Sequence, residues 1–590
     1  MKGPPLPTPE HRTVNDALTA AAQTPSGITF VDLRERETFL SFSEIHVRAR
    51  RVAAALRRTG VSAGDRVALL FPTSPAFMDA YFGALLAGAV PVPLYPPFRL
   101  GRLPEYHAAT SRMIDAVDAS LVLADARTRR LLGQAIELSR PRLGCRTLDD
   151  LDPESAGEVQ AAVDPDALGL IQFSSGSTSD PKPIALSHDN LMAQLAALKA
   201  LLPPEDQVPQ RGVSWLPLYH DMGLIGCLLL AVYHPGPVVL IPPEHFLARP
   251  ALWLRAIARH RATLSVSPTF GYAICAKRVR DEELEGMDLS NWRLAVCGAE
   301  PVSAESLDSF ARRFARFGFD ASALRPVYGL AEASLAATFA PPARPPKAIA
   351  VDPTRLAATG EVVEGRRRIV SVGTPVPGSE IEVRGAHGDL LPELKVGRIF
   401  ARGPSVMAGY FGQPEATADT IADGWLDTGD LGFVAEGELY VCGREKDLII
   451  IRAANHVAQE FEECLDRLEG VRAGCAVAVG FVPNGEDGEQ LLVLAERAKD
   501  ASRNDGDAGT AELIRQAILE HTGIRPHTVH MLDVGTLPRT SSGKLRRSEA
   551  LRLFLAGQLT PPRKVGPAKL SAELARSALA FAKVKLGRGR

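Results

Sequence analysis

From the N-terminus to about residue 445, short apolar runs alternate with longer helix-like stretches, and this alternation restricts the fold more than any other feature. Arg66-Val67-Ala68-Leu69-Leu70-Phe71 reads as a buried strand, with a helix expected from Phe77 to Leu86. Val238 to Pro242, a helix from Ala251 to Ala262, and a strand from Leu264 to Pro268 repeat the unit. Strand, crossover helix and strand define α/β architecture with largely parallel sheets. Between Ile369 and Arg402 the period falls to two, in Glu380-Ile381-Glu382-Val383-Arg384 and again in Gly397 to Arg402. This predicts a small antiparallel, barrel-like β-region beside two α/β subdomains. A second, smaller α+β unit is expected from Lys446, with strands at Leu448–Ile451 and Ala476–Gly480 and a helix from Gln459 to Leu468. The division is therefore 1–445 and 446–590, with Lys499 to Gly509 read as a mobile polar loop.

Composition removes several classes of function. Of 590 residues, 67 are Lys or Arg and 69 are Asp or Glu, so the balanced charge excludes a dedicated nucleic-acid binder. A 46% hydrophobic content excludes a disordered chain. Seven widely spaced cysteines contain no CxxC pair, which argues against disulfide and zinc frameworks and for a reducing cytoplasm. No transmembrane segment is expected, because the most apolar stretch, Gly223 to Tyr233, is closed by His234-Pro235-Gly236 well short of the roughly 20 residues a bilayer needs.

The strongest local signal is Ile171-Gln172-Phe173-Ser174-Ser175-Gly176-Ser177-Thr178-Ser179-Asp180-Pro181-Lys182, an apolar strand running into a hydroxyl- and glycine-rich loop. Backbone N–H groups of such a loop form an anion nest, and Lys182 adds a positive charge for phosphates. Neither a Walker A sequence nor a strand-linked G-x-G-x-x-G is present, which weighs against P-loop NTPases and nicotinamide enzymes. Further along come Tyr328-Gly329-Leu330-Ala331-Glu332, Trp425-Leu426-Asp427-Thr428-Gly429-Asp430, Gly443-Arg444-Glu445-Lys446-Asp447, and Leu537-Pro538-Arg539-Thr540-Ser541-Ser542-Gly543-Lys544.

In this order and at these separations, the motifs resemble those of the adenylate-forming superfamily of acyl-CoA synthetases, luciferases and nonribosomal-peptide adenylation domains. Ser214-Trp215-Leu216-Pro217-Leu218-Tyr219-His220-Asp221-Met222-Gly223, Gly298-Ala299-Glu300-Pro301 and Phe246-Leu247-Ala248-Arg249-Pro250 look like the fatty acyl-AMP ligase branch. The resemblance implies two half-reactions: ATP and a medium- or long-chain fatty acid give an acyl-adenylate, and the acyl group then passes to the phosphopantetheine of a separate acyl carrier protein. A fatty acyl-CoA ligase is the alternative, and a non-catalytic fatty-acid or adenylate binder is a second one.

By the same resemblance, Lys544 bridges the carboxylate and the α-phosphate, and Glu332 holds Mg²⁺ with help from Thr178. Ser174, Ser175, Gly176, Ser177, Thr178 and Lys182 take the phosphates. Gly298, Ala299, Glu300, Tyr328 and Gly329 line the adenine, and Asp430 and Arg444 hold the ribose. His220 and Asp221 stand at the mouth of the acyl pocket, with Trp215, Phe270 and Tyr272 as its candidate walls. Lys446 and Asp447 form the hinge. Residues 343 to 372, with the basic run Arg366-Arg367-Arg368, fill the place of an insertion that in such ligases restrains domain rotation.

One departure stands out. Relatives carry a glycine and an arginine where this chain has Ala453-Ala454-Asn455-His456, and an aromatic-proline pair where it has Val457-Ala458. Missing glycine restricts the backbone and missing arginine removes a charge, which puts the transfer step rather than adenylation in question. The tail after Thr560, with Arg563, Lys564, Lys569, Lys583, Lys585, Arg588 and Arg590, reads as a solvated end. Its competing readings are a short helix from Ser571 to Leu586 and a basic patch for an acidic carrier protein or membrane surface.

Overall fold

The computed structural model describes all residues except 98–99, 156, 175–180, 204–208, 452–453, 467, 484–487, 499–506, 541–542, 563–565 and 588–590. Strand-helix alternation produces two parallel-stranded layers. One sheet runs Thr374–Pro375, Ala336–Phe339, Leu324–Gly329, Leu294–Cys297, Leu264–Ser267, Gly212–Ser214, Val238–Leu240, Gly27–Val31 and Glu37–Ser41. Its six central strands, from Leu324–Gly329 to Gly27–Val31, are mutually parallel. The second sheet joins Val90–Pro93, Arg66–Leu70, Leu121–Ala124 and Cys145–Arg146 in parallel. Arg66–Leu70 and Leu264–Ser267 are buried almost throughout, which is why they read as unbroken apolar runs rather than alternating ones.

The β-region extends past the expected Arg402. Glu380–Arg384, Gly397–Arg402, Trp425–Ala435 and Glu438–Arg444 pair antiparallel in sequence. A smaller unit follows, with a hairpin of Leu448–Ile451 and Ala454–Val457 and a sheet of Val471–Phe481, Gln490–Arg497 and Thr528–Leu532. Its cores are its own, one built on Ile449, Phe461, Val493 and Ile514 and another on Val477, Leu492 and Leu537. The overall class is thus α/β, with a large N-terminal domain and a smaller C-terminal one.

Several expectations change here. The helix expected over Gln459–Leu468 is only Ala458–Glu462 followed by one tighter turn, Glu463–Leu465. Gly470 at φ +83° then turns the chain into the next strand, so the apolar spacing is used by a shorter element. Most of the polar loop from Lys499 lies outside the described residues, and its end, from Asp507, begins a helix to Thr522.

The tail is not a solvated end. Pro567–Gly587 is one helix lying on the N-terminal domain, with Leu570, Leu574 and Phe581 packed on the core around Tyr106 and Leu132. Ser577 and Ala580 are only 1% and 2% exposed. The Gly133 N–H donates to Ser577 Oγ at 2.8 Å, and a Cβ at Gly133 would lie 2.1 Å from the Ser577 carbonyl oxygen. Lys583 pairs with Glu137 at 3.0 Å, and Arg129 lies over the Phe581 ring. Apolar burial on one stripe outweighs the basic composition of the other.

Residues 343–372 form a hairpin, Ala348–Val351 with Arg367–Val370, carrying a helix at Pro353–Thr359. Val351 and Ile369 pack on Phe433 and Tyr440 of the β-region. The three arginines diverge. Arg368 pairs with Asp308 of the large domain at 2.7 Å, Arg367 faces Glu463 at 3.5 Å, and Arg366 donates to the Glu520 carbonyl at 2.9 Å. This short run therefore touches both domains.

Candidate active site

In an open α/β sheet the carboxyl ends of the strands leave a crevice free of crossover helices. Four strands of the large sheet lead into expected residues at that edge. Leu294–Cys297 leads into Gly298, Ala299 and Glu300, and Leu324–Gly329 carries Tyr328 and Gly329 at its end. Gly212–Ser214 leads into Trp215 through Asp221, and Leu264–Ser267 into Phe270 and Tyr272. The backbone is specialised at this edge. Ala299 sits at φ +67°, and a Cβ at Gly298 would lie 2.6 Å from Val327 Cγ2. A Cβ at Gly329 would fall 1.8 Å from the Leu335 carbonyl oxygen, so that position admits glycine alone.

Across the crevice, the β-region contributes Asp430 and Arg444, paired in register on neighbouring strands. The Tyr328 hydroxyl donates to Asp430 Oδ2 at 2.8 Å and Arg444 Nε donates to Oδ1 at 3.1 Å. Burial pushes the Asp430 carboxyl up, against the pull of Arg444 and the Tyr328 hydroxyl. The same burial holds the Tyr328 phenol far above its ordinary value. Asp430 is thus a fixed acceptor with two donors already in place, suited to a pair of sugar hydroxyls.

His220 Nδ1 lies 2.8 Å from Asp221 Oδ1, and the Met222 N–H donates to that same oxygen at 2.7 Å. Enclosure would raise Asp221, but His220 and the charge of Lys544 outweigh it and keep the carboxyl below its ordinary range. The Phe270 N–H donates to Glu300 Oε1 at 2.6 Å, and enclosure raises the Glu300 carboxyl. Glu332 accepts from the Tyr410 hydroxyl at 3.1 Å and is likewise raised by desolvation.

Lys544 enters this space from the C-terminal domain, on a tight turn. Thr540 N–H donates to the Lys544 carbonyl at 2.8 Å and Arg539 Nη1 to the Gly543 carbonyl at 2.6 Å. Desolvation lowers the Lys544 ammonium from its ordinary value. Asp221, Glu300 and Asp430 act in the opposite direction. Those three carboxylates come from three separate segments of the large domain. The residues expected to form a hinge are Lys446 and Asp447. Asp447 is buried and accepts from Arg547 Nη1 at 2.9 Å, while Lys446 is exposed.

Not every expected residue joins this group. Ser174 accepts from the Lys182 N–H at 3.0 Å, whereas Ser175, Gly176, Ser177 and Thr178 lie outside the described residues. An apolar cavity opens at Asp221, Ala299, Tyr328 and Gly329 and runs inward past Met222 and Leu264. Trp215, Phe270 and Tyr272 are not among the residues lining it. Trp215 stacks on Phe246 at 4.0 Å, and Tyr272 is fully buried behind the sheet, its hydroxyl donating to the Val296 carbonyl at 2.9 Å. One residue that sequence reasoning missed is Tyr410. It pairs beside the strand Pro183–Ser187, stands under Lys182 Nζ at 4.5 Å and bonds Glu332. Its only sequence signal is an aromatic in the loop Ser405 to Gly412.

The fold, with a crevice at the edge of an α/β sheet and a lysine-bearing smaller domain, is that of an adenylate-forming enzyme. Residues 18–411 match the model of the family described as AMP-binding enzyme, and the chain belongs to that family. A Caulobacter vibrioides protein provisionally named an acyl-CoA synthetase is 38% identical over 92% of this chain and 96% of its own. The medium-chain-fatty-acid–[acyl-carrier-protein] ligase JamA of Moorena producens is 32% identical over 93% of this chain and 96% of its own. A solved structure from work on fatty acyl-adenylate ligases of E. coli and L. pneumophila superposes with a TM-score of 0.87 at 34% identity, covering 94% of this chain and 99% of that one.

Proposed function

We propose that the chain activates a fatty acid with ATP, releasing pyrophosphate, and hands the acyl group to the phosphopantetheine thiol of an acyl carrier protein. The observation that carries this reading is an apolar cavity lined by Asp221, Ala299, Tyr328 and Gly329, with Asp430 held beside it between the Tyr328 hydroxyl and Arg444. In the first step a carboxylate oxygen bonds to the α-phosphorus and the bond from that phosphorus to the bridging oxygen of pyrophosphate breaks. Both reactants are anionic. At about 4 Å and an effective dielectric near 20, such a pair repels by about 4 kcal/mol per unit charge product, so a cation between them is the principal requirement. Lys544 meets it, and Tyr328, Asp430 and Arg444 fix the nucleoside so that the α-phosphate faces the cavity mouth.

Lys182 and the loop before it take the β- and γ-phosphates, with Tyr410 holding the Lys182 ammonium against its ring. Mg²⁺ suits Glu332. That ion keeps one or two protein carboxylates beside substrate phosphates, and no group of three His, Cys, Asp or Glu ligands occurs among the described residues. When bound it neutralises phosphate charge; Thr178 is the second candidate ligand.

The domain boundary is placed at residues 445 and 446, with Lys446 and Asp447 as the hinge. Asp447 is held by Arg547, so a swing of the C-terminal domain must break or carry that pair. Residues 343–372 lie against both domains and oppose the swing, which favours a tethered carrier arm over free coenzyme A. The name of JamA supports the carrier acceptor. The similarity to the Caulobacter protein supports the second reading, a fatty acyl-CoA ligase. No helix among the described residues is long and apolar enough to cross a membrane, and the seven cysteines are free, in keeping with a cytoplasmic setting.

The test is fatty-acid-dependent exchange of labelled pyrophosphate into ATP, followed by addition of holo carrier protein or coenzyme A. Exchange, then faster acyl transfer to the carrier, is expected. Faster acyl-CoA formation would favour the second reading, and absence of exchange would leave a non-catalytic binder.

A further inference from the structure

The apolar cavity does not end beneath the adenylate site. A second chamber, lined among others by Val213, Cys227, Ala231, His234 and Val238, shares Leu202, Gly226, Leu230, Leu264 and Val266 with the first. The two are therefore contiguous, and both lie between the large sheet and the helix Asp221–Tyr233. That helix presents Met222 to the first chamber, Cys227 and Ala231 to the second, and Gly226 and Leu230, spaced by four, to both.

The spacing of the strands gives the combined length. Lining strands run from Leu324–Gly329 across Leu294–Cys297, Leu264–Ser267 and Gly212–Ser214 to Val238–Leu240, four steps of about 4.8 Å, or about 19 Å. An extended chain advances roughly 1.2 Å per bond, as three backbone bonds cover about 3.5 Å, so the space matches an acyl chain of roughly 14 to 16 carbons.

Polar groups along the second chamber are already engaged. Gln210 donates to the Pro203 carbonyl at 2.9 Å and accepts from Thr263 at 3.0 Å. Ser265 donates to the Val213 carbonyl at 2.6 Å, and Ser214 accepts from the Leu216 N–H at 3.1 Å. Such walls suit plain hydrocarbon.

Gly226 stands at the junction, within a stretch of π-helical turn from Leu224 to Leu229. A Cβ there would point at Leu335 of the first chamber, 2.9 Å from its Cδ2. That neighbour is the end of a flexible side chain, so it can yield to a substituent placed where the two chambers adjoin.

We propose that Gly226 is the specificity-determining residue that joins the two chambers, and that its missing side chain lets an unbranched acyl chain of about 14 to 16 carbons reach the second. This rests on the acyl-adenylate reading of the site.

The test compares pyrophosphate exchange with hexanoate and tetradecanoate in the wild type, in Gly226→Leu, and in Ala231→Phe, which fills the second chamber without touching the junction. Each buried methylene contributes about fourfold, so the ratio of kcat/KM for the 14-carbon acid over the 6-carbon acid should fall at least 30-fold in both variants. A ratio within threefold of wild type in a folded variant overturns the proposal. Should Gly226→Leu lose its melting transition, Ala231→Phe decides by the same ratio. Exchange by the wild type with neither acid would refute the proposed function instead.

Discussion

At the scale of single residues, the site works by crowding charges that water would otherwise separate. Lys544 is the cation that three carboxylates face, and Lys544→Ala should cut pyrophosphate exchange by about 10² to 10³ without lowering the melting temperature, as loss of one electrostatic donor does. Its pH dependence has a defined sign. Desolvation places the ammonium below the ordinary lysine value, and the reacting form is the cation. The rate therefore holds at lower pH and is lost as pH rises through that lowered value, so the alkaline limb of kcat/KM should lie below that of an ordinary lysine. Lys544→Arg, which stays charged, should move that limb upward. Tyr328→Phe removes one donor from Asp430. A hydrogen bond to a charged group contributes about 1.5–3 kcal/mol, so the KM for ATP should rise about tenfold or more with little change in the KM for fatty acid.

At the scale of elements, the strands that carry the site were legible because both faces are buried. Their apolar runs at Arg66–Leu70 and Leu264–Ser267 leave no competing period. Tyr410 was not legible, since Lys182 is brought to it by strand pairing across more than 200 residues and Glu332 reaches it from 78 residues away. Nor was the packing of Pro567–Gly587, although Leu570, Leu574, Ser577 and Phe581 recur at spacings of four, three and four. That stripe is partly hidden by two small side chains, Ser577 and Ala580, at the closest approach to Gly133. Gly133→Ala should unseat the helix, with a loss of about 1–3 kcal/mol of stability and faster proteolysis after Thr560. A wild-type melting curve would contradict the packing described.

At the scale of the whole molecule, Lys544 is brought to the other expected site residues only because two domains meet. Among the described residues, contacts that hold them in this arrangement include Arg102 donating to the Thr536 and Thr560 carbonyls, Arg366 and Arg367 from the hairpin, and the C-terminal helix lying on the large domain. The sequence pattern led to a large N-terminal and a smaller C-terminal domain, which the fold has, whereas the basic tail alone gave no reason to expect a third attachment. Removing the charges of Arg366 and Arg367 together should leave pyrophosphate exchange within a few-fold and raise acyl-CoA formation relative to carrier acylation. The most direct test of the account is a single-turnover reaction with ATP and tetradecanoate and no acyl acceptor. It should yield one enzyme-bound acyl-adenylate and one pyrophosphate per active site. ADP with inorganic phosphate, or no nucleotide turnover at all, would contradict it.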